Sequence, residues 1–432
     1  MITMQRNRSQ TRYILWVLLA VLLPASPGAA EETPLAALVR TALEQNHAIQ
    51  AARSRVEEAD QRSRQAGTLP DPRLGVEYFL QSIETRVGPQ ETAISLSQSI
   101  PWPGRLRNQR ELKHREADIA RVMLRATQLG VVRRLKETYV EYAYLSRARD
   151  ITSQILELMR YLEGIARTNY TSGKASYTDV LKIQIEIDRL RNRVHSLEDN
   201  GTPLVAAINS LLGREPGAAA PIPAAIPTLS LSHDDEEIHE MARQHSPVLE
   251  TARQKIARDK AGLDLAEQGY FPDLAVSVKT ILTGEAEYGD PPDSGRDAVI
   301  AGLTLTLPVF FDRREGAIAE KQAALRAAQS ERKQVFYDLS AGVETQLFRY
   351  REAARLLELY DTELIPRVRQ ELDVALEAFQ GGEYSILELM DAEKSWLRFE
   401  LARARARADM ALQVARLEEL TGATLADWED NG

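Results

Sequence analysis

The chain of 432 residues contains no cysteine, which excludes a disulfide scaffold, a thiolate metal site, a cysteine nucleophile and a lipid anchor on an N-terminal cysteine. It also shows no nucleophile triad, phosphate-binding loop or cluster of metal ligands, so we predict neither an enzyme nor a cofactor. The histidines agree with this prediction. His233, His239 and His245 are spaced six apart and do not share one helix face, so we predict no metal site.

Basic residues are outnumbered by acidic ones, 54 to 63, and long apolar runs are few. The formal net charge is −9, which makes nucleic acid an unfavourable partner. Apolar residues make up 44% of the chain but are too dispersed for a helical membrane protein. An apolar run of about 11 residues, Tyr13–Leu23, follows Arg6, Arg8 and Arg12 and precedes small residues ending at Ala30, which is typical of a signal peptide. Its removal takes away three arginines and no acid, and moves the charge from −9 to −12.

Nearly the whole chain after residue 30 is an internal duplication. Three pairs share an offset of 209 residues: Gly173 with Gly382, Ser176 with Ser385, and Gly213 with Gly422. Upstream pairs have slightly smaller offsets, namely Asn46–Arg53 with Ser246–Arg253, Pro70-Asp71 with Pro272-Asp273, and Ile100-Pro101 with Leu307-Pro308. A repeat of this length indicates one elongated body built from two halves.

Each half contains a long helical hairpin. Apolar residues at steps of three and four predict helices over Trp102–Tyr170 and Asp312–Phe379, and the second of these would be roughly 100 Å long at 1.5 Å per residue. Glycine-containing turns then reverse the chain, and the return helices are predicted to end at Gly213 and Gly422. Pro366 lies inside the second long helix and predicts a kink. Helices of this length span a distance rather than build a compact domain.

Four segments alternate apolar residues with small or polar ones, which is the period of a β-strand. These segments are Leu74–Gln81 and Ala93–Ile100 in the first half, and Leu274–Lys279 and Val299–Leu307 in the second. Their length of about ten residues is what a strand of a membrane-spanning β-barrel needs. Four strands cannot close a barrel, and an open edge is not tolerated in lipid, so several copies must pool their strands. Two copies would supply eight strands and three would supply twelve.

These patterns divide the chain into five parts. They are a signal peptide at 1–30, a first structural repeat at 31–213, a linker rich in Pro and Ala at 214–231, a second repeat at 232–424, and a C-terminal tail at 425–432. The first helix of the first repeat is predicted from Leu35 to Ala66, with Thr33-Pro34 at its start.

This order of elements resembles the TolC family of outer-membrane efflux proteins, over roughly Leu35–Thr424. The resemblance rests on motifs at the ends of the strands and at the tips of the hairpins. These motifs are Leu69-Pro70, Phe271-Pro272, Ser97-Gln-Ser-Ile-Pro-Trp-Pro-Gly104, Thr306-Leu-Pro-Val-Phe-Phe311, Tyr170-x-x-Gly-x-x-Ser-x-Thr-Asp179 and Phe379-x-x-Gly-x-x-Ser-x-Leu-Glu388.

The resemblance implies a fold that is mainly α with a small β part. The expected assembly is a homotrimer, with a shared 12-stranded β-barrel in the outer membrane above an α-helical barrel that crosses the periplasm. The implied partners are outer-membrane lipid, a periplasmic adaptor (membrane fusion) protein and an inner-membrane RND-type pump. The exit Pro101-Trp-Pro-Gly104 is similar to the CzcC/CusC-type branch, so heavy-metal cations are the expected cargo.

Other functions remain open at this point. Drug efflux and type I protein secretion use the same kind of outer duct, because export specificity resides largely in the inner pump. A periplasmic coiled-coil adaptor or scaffold is an alternative from another class of protein. Adaptors, however, carry one hairpin beside a compact β domain, whereas this chain has two hairpins and two pairs of strands.

The candidate gate of such a duct lies just past the second hairpin tip. Glu388 and Asp391 are three residues apart on one helix face, and the resemblance places them at the family's acidic constriction rings. Like charges brought together in a narrow pore repel each other and bind cations. The alternative is that these acids only stabilise the start of a helix through its dipole.

The hairpin tips carry two further expectations from the resemblance. Thr178 and Asp179 match a latch that holds the tunnel shut through a partner, usually arginine, on the second tip. The partner here is Tyr384, so a hydrogen bond from Tyr384 to Asp179 would replace the usual salt bridge. The adaptor-docking groove would consist of small residues, which also make tight turns: Gly173, Ser176, Gly382 and Ser385.

Overall fold

A computed structural model describes residues 34–173, 176–220, 223, 225–289, 291–381 and 383–428. The predicted signal peptide, Gly382 and the last four residues lie outside this part of the chain. The fold is mainly helical with one small sheet, as the sequence predicts. None of the described helices combines the length and the apolar character needed to cross a membrane.

The two halves have the same order of elements. The first contains α1 (Pro34–Gln45), α2 (His47–Gln65), β1 (Arg73–Ile83), β2 (Gln90–Ile100), α3 (Pro103–Thr171), α4 (Tyr177–Asp199) and α5 (Gly201–Leu211). The second contains α6 (Asp235–His245), α7 (Pro247–Glu267), a 3-10 turn (Gln268–Tyr270), β3 (Asp273–Thr283), β4 (Ala298–Thr306), α8 (Phe311–Leu359), a π-helical turn (Tyr360–Leu364), α9 (Ile365–Gly381) and α10 (Ile386–Thr421).

The first helix of the first repeat is interrupted, and the prediction of one helix from Leu35 to Ala66 is wrong. Asn46 has extended backbone and starts α2, since its side chain accepts hydrogen bonds from the backbone N–H of Ala48 (2.9 Å) and Ile49 (3.2 Å). Its Nδ2 donates to the carbonyl of Leu211, 2.9 Å away. A contact that is distant in sequence therefore fixes this break.

The return helix of the first hairpin is also interrupted, between α4 and α5, at Asn200. Pro203 lies in the first turn of α5 and lacks the N–H that a continuous helix would bond to the carbonyl four residues earlier. The corresponding helix of the second half, α10, runs unbroken for 36 residues.

The kink predicted at Pro366 corresponds to a change in hydrogen bonding just before that residue. The backbone N–H of Ile365 donates to the carbonyl of Tyr360, five residues earlier, where an α-helix would bond four residues earlier. Because Pro366 has no N–H and its ring crowds the preceding turn, a π-helical turn accommodates it within the long helix.

The four strands form one antiparallel sheet in the order β1-β2-β3-β4. The central pair joins the two halves, because β2 of the first repeat pairs with β3 of the second. Strands β1 and β4 lie at the two edges, each with one side unpaired within the described chain.

Residues at the exit from β2 connect the sheet to the helices. The Trp102 ring stacks on Phe271 with a centroid distance of 4.9 Å, and the Trp102 backbone N–H donates to Asp273 at 3.0 Å. Arg105, in the first turn of α3, forms an ion pair with Asp273. The Pro-Trp-Pro-Gly motif of one repeat thus packs against the Phe-Pro-Asp motif of the other, and orients α3 relative to β3.

Equivalent residues of the two repeats make equivalent contacts. Gly213 and Gly422 both follow the last helix of their repeats and both have left-handed backbone, with φ of 68° and 67°. A Cβ on Gly213 would lie 2.9 Å from the carbonyl oxygen of Gln45, and one on Gly422 would lie 2.6 Å from that of His245. Both positions therefore favour glycine for conformation and for space.

Candidate functional site: the sheet faces and the hairpin tips

One face of the sheet is mainly apolar across all four strands, with Gln98 and Thr280 as polar side chains among its rows. The register places Leu74, Leu96, Val278 and Ala301 in one row across the sheet. The next rows on this face add further apolar side chains, among them Val76, Ile94, Val276, Val299, Leu303 and Leu305. Most are exposed in the single chain, for example Leu74 at 71% and Val299 at 74%. This surface has no cover within the described chain and is suited to contact with lipid.

The opposite face carries mainly small and polar side chains, with Ile281 and Ile300 as apolar exceptions. Gly75, Ser95 and Lys279 share one row, and the Lys279 ammonium reaches across β2 to the Glu77 carboxylate at 2.7 Å. A Cβ on Gly75 would lie 2.7 Å from the Ser95 hydroxyl, and a Cβ on Gly302 would lie 2.5 Å from the Ser277 hydroxyl. Alternation between an apolar and a polar face is the pattern of a barrel with a water-filled interior.

Both hairpin tips end in a capping box. At the first tip, the Ser176 hydroxyl accepts from the backbone N–H of Thr178 (3.2 Å), and Asp179 accepts from the N–H of Ser176 (3.3 Å). At the second tip, Glu388 accepts from both the N–H (2.7 Å) and the hydroxyl (2.9 Å) of Ser385. Both predicted acids thus stabilise the start of a return helix, which is the alternative given above for Glu388.

Three of the predicted gate residues line one exposed groove between α9 and α10. Tyr384, Glu388 and Asp391 face it from the second tip and the start of α10. Two charged side chains of α9, Arg367 and Glu371, line the same groove and were not anticipated from the sequence. The sequence could have indicated them, because two helices that pair antiparallel across the tip bring residue 371 near residue 391.

The structure does not bring the predicted latch together. Asp179 bonds the Ser176 N–H and lies 3.8 Å from the Lys182 ammonium, and among the described residues it has no hydrogen bond from Tyr384. Thr178 is exposed. Of the predicted docking residues, Gly173, Ser176 and Ser385 are exposed at the tips, whereas Gly382 lies outside the described residues.

The helices near the tips also leave apolar surface uncovered. Tyr177, Leu181 and Ile185 are four residues apart on α4 and are 54%, 40% and 53% exposed. On the second hairpin, Val374 and Leu387 are about half exposed. Such stripes indicate contact with another surface, as in helix bundles built from several chains. Within the part of the chain that the structure describes, no three acids or histidines cluster as metal ligands.

An elongated helical body with a small sheet, one face of which is apolar and uncovered, defines a class of envelope-spanning channel proteins. The chain belongs to the outer membrane efflux protein family, whose model matches residues 38–214 and 238–423. Members of this family are transport channels and not enzymes, and they work as trimers with adaptor and inner-membrane pump partners.

Individual relatives are distant. The chain is 26% identical over 301 residues to Protein CyaE of Bordetella pertussis, an alignment that covers 66% of this chain and 62% of that protein. The fold is similar to the outer membrane protein VceC of Vibrio cholerae, with a TM-score of 0.74, 16% identity, and coverage of 90% of this chain and 96% of that one. It is also similar to CusC, with a TM-score of 0.75, 15% identity, and coverage of 90% and 92%.

Proposed function

We propose that three copies of this chain form an outer-membrane duct of a tripartite efflux system. The three sheets join edge to edge into a 12-stranded β-barrel, and the paired hairpins form an α-helical tunnel that extends through the periplasm to a periplasmic adaptor and an RND-type pump. The observation that carries this proposal is the sheet, which combines an uncovered apolar face with two open edges. The apolar face is suited to lipid, but the two open edges are not stable there unless other copies complete the barrel.

The uncovered stripes near the hairpin tips support the same assembly. A ring of helices places the first hairpin of one copy beside the second hairpin of its neighbour, so the Tyr177, Leu181 and Ile185 stripe would meet apolar residues such as Val374 and Leu387. The exposed tips would then point away from the membrane and accept the adaptor at Gly173, Ser176, Gly382 and Ser385.

Heavy-metal cations are the proposed cargo. The acids that face the α9–α10 groove, namely Glu371, Glu388 and Asp391, outnumber the single cation Arg367 there, and three copies would surround the tunnel entrance with negative charge. Such a ring attracts cations and disfavours anions. The similarity of Pro101-Trp-Pro-Gly104 to the metal-efflux branch supports the same cargo.

Fractionation and bilayer conductance test the duct, and the sensitivity of a deletion strain tests its cargo separately. In fractionated cells, the protein should be recovered from the outer membrane with detergent. After purification, the mature protein should carry ions across a planar bilayer. Recovery from the soluble periplasm, or no conductance, would contradict the duct. A deletion strain should become sensitive to Cu, Ag, Zn, Co or Cd. Sensitivity to a panel of drugs without sensitivity to metals would retain the duct and replace the cargo.

A further inference from the structure

A carboxyl group that the proposed duct does not use lies buried close to the hairpin tips. Glu393 of α10 is fully buried, and neither of its carboxyl oxygens has a hydrogen-bond partner in the structure. Glu186 of α4 lies close enough for its charge to act on Glu393, and it is only 8% exposed. Two acids from different hairpins thus share one buried region, although burial of a lone carboxylate is strongly unfavourable.

The surroundings of this pair are apolar. A single hydrophobic cluster contains Ile183 and Ile187 of α4 together with Leu389, Met390 and Leu397 of α10. We call this region, with Glu186 and Glu393, the tip seam. It joins the two hairpins within about three helical turns of their tips.

The charged groups around the tip seam do not neutralise Glu393. On α4, Arg189 reaches Glu186 at 3.5 Å, but the Arg189 side chain is 70% exposed. On α10, Lys394 is exposed and opposes the other effects on Glu393 only weakly. Near the tip seam, the charged side chains of α3 pair with one another or with Gln184, namely Glu157, Arg160, Glu163 and Arg167. The charged side chains of α9 near the seam are exposed, namely Arg367, Arg369 and Glu371.

Burial, and then the charge of Glu186, raises the pKa of Glu393 from 4.5 to about 7. Below this pH Glu393 is neutral, and the seam holds one negative charge at most. Above it, ionisation places a second negative charge in the apolar seam. Because the pKa of Glu393 is raised in the packed state, the packed seam is most stable below pH 4.5 and loses stability as the pH rises toward and through 7.

We propose that Glu186 and Glu393 form a proton-binding pair that couples the two hairpins, so that release of its proton loosens the tip seam. The neutral pair packs the hairpins together, whereas the doubly charged pair repels and favours separation or hydration of the seam. In the proposed duct, this pair would make opening of the periplasmic end depend on periplasmic pH, an extension that rests on the proposed function. The acids that line the outer groove are a different set, since Glu388 and Asp391 are exposed.

Hydrogen exchange of backbone amides in the purified full-length protein tests the proposal. Protection factors, corrected for the intrinsic pH dependence of exchange, are compared at pH 6 and pH 8 for the start of α4 and the start of α10. With a pKa of about 7 in the packed seam and 4.5 in the open one, protection should fall about tenfold between these pH values. Glu393→Gln should abolish the fall, and Glu377→Gln, which changes an exposed acid of α9, should leave it unchanged.

Glu186→Gln provides an independent second variant. It removes the neighbouring charge but keeps Glu393 buried, so the pKa of Glu393 in the packed seam is lower and the fall in protection between pH 6 and pH 8 should be smaller than in the natural protein. Equal protection of the natural protein at pH 6 and pH 8 would overturn the proposal, as would an undiminished fall in Glu393→Gln. Because exchange reports on the seam and not on conductance, a failure of the duct would be recognised separately.

Discussion

At the residue scale, Gly422 combines a conformational and a steric requirement. Its φ of 67° disfavours any side chain, and a Cβ would lie 2.6 Å from the carbonyl oxygen of His245, an atom of the backbone. Gly173 has a similar φ of 73° but nothing within 4 Å of a built Cβ. A side chain at Gly173 would therefore meet backbone strain alone, whereas one at Gly422 would meet both backbone strain and a steric clash.

Gly422→Ala should therefore destabilise the protein more than Gly173→Ala. Both variants pay about 1–2 kcal/mol for left-handed backbone, and only the first forces α6 and α10 apart. The thermal unfolding midpoints of the two purified variants measure the difference. Equal midpoints would show that the contact between Gly422 and His245 adjusts without cost.

Sequence reasoning found these glycines but not all of the acids. Gly213 and Gly422 stood out because they recur at one offset and follow helical patterns. Glu393 carries no such signal, since its burial depends on how α10 packs against the helices of the first hairpin, which lie some two hundred residues earlier in the chain. Asp179 and Glu388 each follow a serine by three residues, a local pattern that predicts a capping box. In the structure both acids accept from the backbone N–H of that serine, and Asp179 does not form the predicted latch.

At the element scale, a buried ion pair between α3 and α10 also holds the segment that contains Leu425 and Trp428. The Lys136 ammonium of α3 lies 2.6 Å from Glu418 of α10 and 4.2 Å from the centre of the Trp428 ring. Glu418 also accepts from the Trp428 indole N–H at 3.0 Å and from the Leu425 backbone N–H at 3.1 Å. Burial lowers the pKa of Lys136, and the charge of Glu418 opposes that change.

Lys136→Met should destabilise the protein by about 3–5 kcal/mol, because it leaves the Glu418 carboxylate buried without its cation. The double variant Lys136→Met with Glu418→Gln should recover most of this loss, since the amide still accepts from Trp428 and Leu425. Thermal unfolding midpoints of the single and double variants measure the coupling. Equal losses in both variants would contradict a role for the buried charge.

The long helices and the four strands were predictable from the sequence because their periodicities continue over many residues. The interruptions were harder to predict. Asn46 breaks a helical pattern because it caps α2 and bonds Leu211 in another helix, which no local pattern reveals. The break at Asn200 did have a local signal, since Asn-Gly is followed by Pro203, but the apolar period continues through it.

At the scale of the whole molecule, Asp391 is the better candidate for a cation-attracting gate. One carboxyl oxygen of Glu388 accepts hydrogen bonds from both the N–H and the hydroxyl of Ser385. Asp391 is exposed in the groove and has no hydrogen bond or ion pair among the described residues. If three copies bring this position together, its charge repels like charges and binds divalent cations.

Asp391→Asn should therefore weaken block by divalent cations severalfold in planar bilayers and raise the single-channel conductance. Glu388→Gln should change the block less, because the amide oxygen still accepts from Ser385. Asp373→Asn serves as the control, since it removes an exposed acid of α9 that does not line the groove. Block that is unchanged in Asp391→Asn would assign this acid to a solvated helix surface.

The central claim is that β1 of one copy pairs with β4 of the next, and the chain is well suited to a direct test because it has no natural cysteine. Strands β1 and β4 are three strand spacings apart within one sheet, about 14 Å, which is too far for a disulfide. Any disulfide between cysteines on these two strands must therefore join different copies.

The decisive measurement is oxidation of double-cysteine variants in outer membranes, followed by non-reducing electrophoresis. Glu77→Cys in β1 is combined in turn with cysteine at each of four β4 positions on the same face, namely Ala298, Ile300, Gly302 and Thr304, and each single variant serves as its control. We expect covalent trimers for at least one register and no product larger than a dimer for the single variants. Monomers at every register, from protein that is folded and present in the outer membrane, would contradict the shared barrel.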